Sequence, residues 1–535
     1  MQSTVANTDA PVNGWDAFNA LDNMAPESAV VLDNLIPQPG AVVTRKGHTE
    51  FVDLGTNKPV ESVMSLNDGG REQLLFSSNG GIWDVEGSDA DTLRIVSEEG
   101  TFGNSRFQNA TFREFSERTS LIICNGSDPT HVYKDNNGTY ELSPIVDTNG
   151  AENDGYGDGT FIGCLTFKGR VYYWKDGDDS FYFSQAGSYQ GELERFELGT
   201  VAQNGGKIKL ITSWTQKDSG DGKDDFFVVC FSTGEILIYQ GDDPQSGGFW
   251  ELVGKYYTSE PLSIRGSDHF GSDVIIMTRD GYINLSTVIQ QGRTADINQF
   301  SRMIYTAIVD RTASKSDAFG WECHLYPKDG LFVFNVPLTF SSYEQHVLNT
   351  VTMKWCRFRD MNAVCMTVHD DQLYGGLTDG RVAKLLVGTS DLNAPIQYTA
   401  LTAYNTFGNA GYQKHLVAAQ ILSTHEDPEQ INLRAYADYT FPVIKRLLPS
   451  DFMADEGVWA DPPVPGGAKG SQWADEVDSE KGSYWSSGLR PKTTTGWQNV
   501  SAYGYAVALL VQFARVNESV TWRNTGLRYL QGGAQ

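Results

Sequence analysis

Apolar and polar positions fall along most of this chain in paired runs. An apolar strand is followed by a tight polar turn and a second strand rich in aromatic or β-branched residues. The unit reads "EQLLFSSNGGIWDV" at 72–85, "SLIICNGSDPTHVYK" at 120–134, "FIGCLTFKGRVYYW" at 161–174 and "FFVVCFSTGEILIYQ" at 226–240. It continues as "SDVIIMTRDGYINLS" at 272–286, "WECHLYPKDGLFVFN" at 321–335 and "AVCMTVHDDQLYGGL" at 363–377. Gly, Asn or Asp at the turn, between strand-forming residues, is hairpin chemistry. The turn centres Gly80, Ser127, Lys168, Gly234, Asp280, Asp329 and Asp370 mostly lie 40–50 residues apart. That period, with "KIKLITSW", "FFVVCF", "EILIYQ" and "FWELVGKYY" as one four-strand unit, predicts a β-propeller of about six to eight blades.

Three details refine that prediction. The wide gap between Lys168 and Gly234 contains "SFYFSQAG" and "RFELG", which read as an extra strand pair, an insertion or an irregular blade. A two-sheet sandwich array also spaces strands closely, but regular double-length hairpins favour the propeller. The last blade can borrow a strand from the N-terminus, and "AVVTRKGHTEFVDL" at 41–54 is the candidate. Residues 1–55 form a lead-in, 56–390 the propeller, and 391–535 a separate β-sandwich-like domain.

In the lead-in, Pro26 suits the first turn of a short helix, with Glu27 favourable at its positive end. Val30, Val31 and Leu32 would supply the apolar face, Asp33 and Asn34 the end, and "PQPG" a turn. Past Leu386 the hairpin rhythm stops, although "INLRAYADYTF" still alternates and 503–513 reads as a buried strand, with a short helix as the alternative. The acidic, Gly- and Pro-rich stretch 451–485 is irregular. Its Trp459, Trp473 and Trp485 are the candidate partner-binding residues, because exposed tryptophans mark interfaces.

Composition narrows the function. The 535 residues carry a net charge of −26; residues from Asp391 onward contribute −3 and the rest −23. Such a surface does not suit wrapping a nucleic-acid backbone. It suits solubility, or a passage that polyanions cross without adhering. The six cysteines form no C-x-x-C pair and mostly sit in apolar runs, as free buried thiols of a reducing compartment would. The N-terminus lacks the basic and apolar regions of a secretory signal, and no apolar run reaches membrane-span length.

Candidate chemistry is sparse. The eight histidines stand at no metal-ligand spacing, and there is no G-x-S-x-G elbow. The acidic stretches 152–159, 175–180 and 219–225 depart from calcium-loop spacing and read as solvated turns. "YKDNNGTYEL" at 133–142 comes near the Asp-box turn of sialidases, with Asp135 and Gly138 one residue too far apart. No catalytic, cofactor-binding or metal-binding residue is assigned, and the chain reads as a non-enzyme. The alternative is a carbohydrate-binding or glycan-cleaving propeller. A peptide-binding scaffold propeller is disfavoured by the missing G-H/W-D signature.

The entry "NALDNMAPESAVVLDN", the turn "PQPG", the segment "VVTRKG" and the C-terminal "WRNTGLRYLQGG" together resemble the tail hub proteins of short-tailed bacteriophages, the nozzle or tail tubular proteins. The resemblance touches both ends of the chain and suits the middle in architecture. It implies a virion structural protein: a homohexameric ring around the DNA exit channel, below a head-tail connector, with attachment surfaces for fibre or needle proteins. Genomic DNA would pass without specific binding. Six copies would carry about −156, enough to repel DNA from a lumen.

Overall fold

The protein is described by a computed structural model covering residues 3–534, except 115–117, 146–160, 218–222, 246–249, 292–299, 426–430, 448–491, 495 and 516–518. Seven successive antiparallel sheets form a β-propeller: blade 1 (60–97), blade 2 (108–144), blade 3 (161–197), blade 4 (208–257), blade 5 (267–284), blade 6 (322–358) and blade 7 (363–385). The hairpin turns use the backbone the sequence called for. Asn79 and Gly80 both have positive φ (49° and 72°), as a two-residue turn matching strand twist requires.

The second strand of each blade is buried on both faces, which explains its near-continuous apolar character. Leu74 and Phe76 pack with Tyr374 and Val382 of blade 7, while the intervening Leu75 packs with Leu121 and Tyr133 of blade 2. Further apolar clusters join blades 2 and 3, 3 and 4, 4 and 5, and 5 through 7, so the ring closes. Blade 7 takes its fourth strand, His48–Asp53, from the N-terminal segment, in register with Arg381–Leu385.

Two local expectations are corrected. The strand pair in the wide gap is no insertion: Ser180–Phe183 and Glu194–Glu197 are the outer strands of a regular blade 3. The gap arises because the 161–174 hairpin joins the first two strands of its blade, whereas the 226–240 hairpin joins the middle two of blade 4. The lead-in helix is a strand, Ser28–Asp33, buried at all six positions. A surface helix needs a polar face. This segment instead lies inside a sheet, between Ile396–Thr402 and the outer strand of blade 6, where β-branched Val30 and Val31 are favoured.

The strands within residues 3–44 therefore belong to the sandwich. One sandwich sheet runs Lys492–Thr494, Tyr412–His425, Thr521–Ala534, Ala41–Thr44, Leu35–Gln38, with Ser3–Asp9 also on Thr521–Ala534 and Gln498–Gly504 on Tyr412–His425. The other extends blade 6 itself through Ser28–Asp33, Ile396–Thr402, Val507–Arg515 and Asn432–Ala437. Segment 41–54 divides between the two bodies. Ala41–Thr44 stays in the sandwich and His48–Asp53 enters the propeller. Gly47 marks the crossing, where a Cβ would fall 1.9 Å from the Ser390 carbonyl oxygen.

Buried charges hold this seam. Arg45, fully buried, grips Asp391 with both terminal nitrogens (2.8 and 2.6 Å) and donates through Nε to Asn34 Oδ1 (2.8 Å). His48 Nδ1 lies 2.9 Å from the same carboxylate. Burial opposes ionisation of Asp391, yet Arg45 and His48 outweigh it and hold its pKa down at about 2. Beside it, Asp33 pairs with Arg357 (2.7 Å), and buried Glu344 accepts from Arg311 (2.9 Å). Burial again opposes the charge of Glu344, but His346, Arg357 and Arg311 hold it well below the usual carboxylate range.

Candidate functional site

The first strands of successive blades stand side by side around the axis. Arg265, in the loop entering blade 5, reaches across that axis. In a seven-membered ring, blade 5 lies opposite both blade 1 and blade 2, and Arg265 bonds to each. It donates to the Glu61 carbonyl (2.9 Å), Ser62 Oγ (2.8 Å) and the Phe107 carbonyl (2.8 Å). Ser62 Oγ in turn donates to the Ser105 carbonyl (2.6 Å) and accepts from the Phe107 amide (2.8 Å). Buried Glu322, on the first strand of blade 6, lies 3.6 Å from the Arg265 guanidinium.

Phe319 lies beside Arg265. The Arg106 guanidinium sits 4.5 Å from its ring centroid and that of Arg265 5.2 Å, so two cations contact the ring. Here opens a cleft of about 480 Å³, lined by Glu61, Arg106, Lys315, Phe319, Phe340 and Tyr343 among others. Arg106 pairs with Glu61 (3.0 Å), and Lys315 lies 6.0 Å from the Phe340 ring. Phe340, at the tip of the hairpin between Leu331–Thr339 and Ser342–Asn349, is 96% exposed. At the base, burial disfavours a charged His324, but Glu322 at 3.7 Å outweighs it and raises the pKa. The set combines aromatic faces with paired charges, which suits holding an amphipathic segment.

Sequence reading missed these residues, because a single Arg in a loop carries no pattern that separates a link between blades from a solvated side chain. Trp459, Trp473 and Trp485 lie outside the described residues. Other singled-out positions have local roles. His369 bonds Ser65 Oγ (2.7 Å) and the Gly87 carbonyl (3.2 Å), tying blade 7 to blade 1. In 175–180, Asp178 accepts from the amides of Asp179 (2.8 Å) and Ser180 (3.2 Å), as a turn aspartate does. Asp135 caps its own hairpin by accepting from the Gly138 amide (2.8 Å). All six cysteines are buried and free, and burial raises the Cys230 thiol to about 12. Among the described residues no helix is long and apolar enough to cross a membrane.

No protein-family model matches the chain, and no curated protein matches it. Among solved structures, BBS1N in complex with ARL6DN is similar at 11% identity and a TM-score of 0.38, over 65% of this chain and 100% of that one. YCF48 from Cyanidioschyzon merolae is similar at 12% identity and a TM-score of 0.37, over 63% of this chain and 98% of that one. Raptor from Chaetomium thermophilum is similar at 12% identity and a TM-score of 0.40, over 64% of this chain and 29% of that one. Likenesses this distant carry no functional inference, and the propeller assignment rests on the strand register and the closed ring of interblade clusters.

Proposed function

We propose that this chain is a non-catalytic structural subunit, the nozzle of a short-tailed bacteriophage, that assembles as a homohexameric ring around the DNA exit channel of the virion tail. The observation that carries this reading is the joining of strands from both ends of the chain in the same two sheets. Strands from 3–44 and from 396–534 interleave in a sandwich whose second sheet continues directly into blade 6. A mechanical part needs such a joint, and the buried Arg45–Asp391 and Arg357–Asp33 pairs oppose its slipping.

The propeller axis adds a constraint. With Arg265 reaching across it, a DNA conduit runs between copies, not through a propeller. The acidity concentrated before Asp391 would then keep a polyanion from adhering. The connector, the fibre or needle proteins and the passing DNA are the partners this role requires. Electron microscopy of the purified protein tests the reading. A sixfold ring, and the same chain in virions, is the expected outcome; a stable monomer absent from virions would overturn it.

A further inference from the structure

Among the described residues, the N-terminal strand Ser3–Asp9 is bonded on one side only. It pairs antiparallel with Thr521–Ala534, Ser3 facing Leu530 and Asp9 facing Asn524, and among the described residues no strand pairs with its other edge. The Ala10 amide donates to the Arg523 carbonyl, which continues this register by one residue. By the alternation of an antiparallel ladder, Thr4, Ala6 and Thr8 direct their backbone groups inward to Thr521–Ala534. Ser3, Val5, Asn7 and Asp9 direct theirs to the open edge. That edge has none of the usual protection: no Pro, no Lys, no bulge in the register, and Val5 is 50% exposed.

We propose that this edge is a docking site for the same edge of a second copy, joining two sandwich sheets across a two-fold axis at Ala6. The sequence "STVANTD" is self-complementary in that one register. Centred on Ala6, Val5 faces Asn7 and Ser3 faces Asp9 of the second copy, so every outward amide and carbonyl from 3 to 9 finds a partner. Shifting the centre to Val5 or Asn7 leaves part of the edge unpaired. The intervening positions fit as well. Thr4 faces Thr8, a favourable cross-strand pair. Ala6 meets Ala6 at a close pair, where Cα atoms lie about 4.5 Å apart and a small side chain is needed. Asp9, the only charge in the strand, faces Ser3 and not its own copy. This contact is isologous, so in a head-to-tail sixfold ring it would form between two rings and not within one.

Cysteine cross-linking of the full chain tests it, since the six native thiols are buried. Ala6→Cys, oxidised in air, is expected to give a disulfide-linked pair of about 118 kDa, twice 59.0 kDa, because the axial geometry falls within disulfide reach. Val5→Cys is expected to give at least tenfold less. Thr4→Cys and Thr8→Cys are expected to link to each other when mixed, and each poorly alone. Val5→Pro removes an amide that only the second copy uses, so it should abolish the pair in sedimentation without lowering the melting temperature. An Ala6→Cys chain that does not cross-link, cross-linking equal at all positions, or a Val5→Pro chain that still pairs would each overturn the proposal. Should Val5→Pro fail to fold, the mixed Thr4→Cys and Thr8→Cys result decides.

Discussion

The joints between blades and the seam between propeller and sandwich are both buried, yet they are built from opposite materials. Between blades 1 and 7, Leu74, Phe76, Tyr374 and Val382 meet through apolar faces. At the seam, Arg45, Asp391, Arg357, Asp33 and Glu344 form paired charges around a backbone crossing too tight for any side chain at Gly47. Apolar contact is non-directional and degrades by increments as volume is removed. A buried ion pair is specific in direction and fails abruptly when one partner is lost, because the other is left charged and desolvated. The ring can thus adapt its seven joints gradually, while the sandwich is held at one angle.

The sharpest way to break this contrast is Gly47→Ala. A Cβ 1.9 Å from the Ser390 carbonyl oxygen cannot be relieved by a flexible neighbour, so a loss of about 4 kcal/mol or more is expected in denaturant unfolding. Arg45→Met should cost about 3–5 kcal/mol, since it strands Asp391, whereas adding Asp391→Leu should restore most of the loss. A double variant as unstable as the single one would show that the pair is not what holds the seam.

Acid titration probes the same joint with a smaller effect. The pKa of Asp391 is depressed to about 2, so its contribution is fully present above its ordinary value and disappears as pH falls through about 2. Unfolding followed from pH 5 to pH 2 should show a loss of about 2 kcal/mol that Asp391→Asn removes from the profile. The mildest change is at a blade joint. Ile82→Val, in the cluster between blades 1 and 2, should cost only about 1 kcal/mol in the same assay. A loss as abrupt as that of Arg45→Met would erase the distinction.

The hairpins were legible because their information is local: turn residues with positive φ, such as Asn79 and Gly80, sit beside alternating strands within fifteen residues. The phase within a blade was not, since the same hairpin signal joins strands one and two at 161–174 but two and three at 226–240. The segment around Val30–Val31–Leu32 was misread for a related reason. Its six buried positions carry no periodicity, and apart from a two-residue parallel pairing with Gly14–Trp15 its sheet partners lie more than 300 residues away. Nothing in the sequence marked Arg265 or Phe319, whose roles exist only once blade 5 stands opposite blades 1 and 2.

By itself, then, the chain's alternation of apolar runs and turns determined an all-β protein, a repeated blade and a strand borrowed to close it, because hairpin formation depends on residues a few positions apart. The tertiary structure alone decided which blade strand each hairpin supplies, that strands within 3–44 complete a sandwich with strands from the C-terminal part of the chain, that Arg265 reaches from blade 5 to blades 1 and 2, and that no strand among the described residues pairs with the outer edge of Ser3–Asp9. Those outcomes depend on pairings between residues hundreds of positions apart, whose energies no local pattern records.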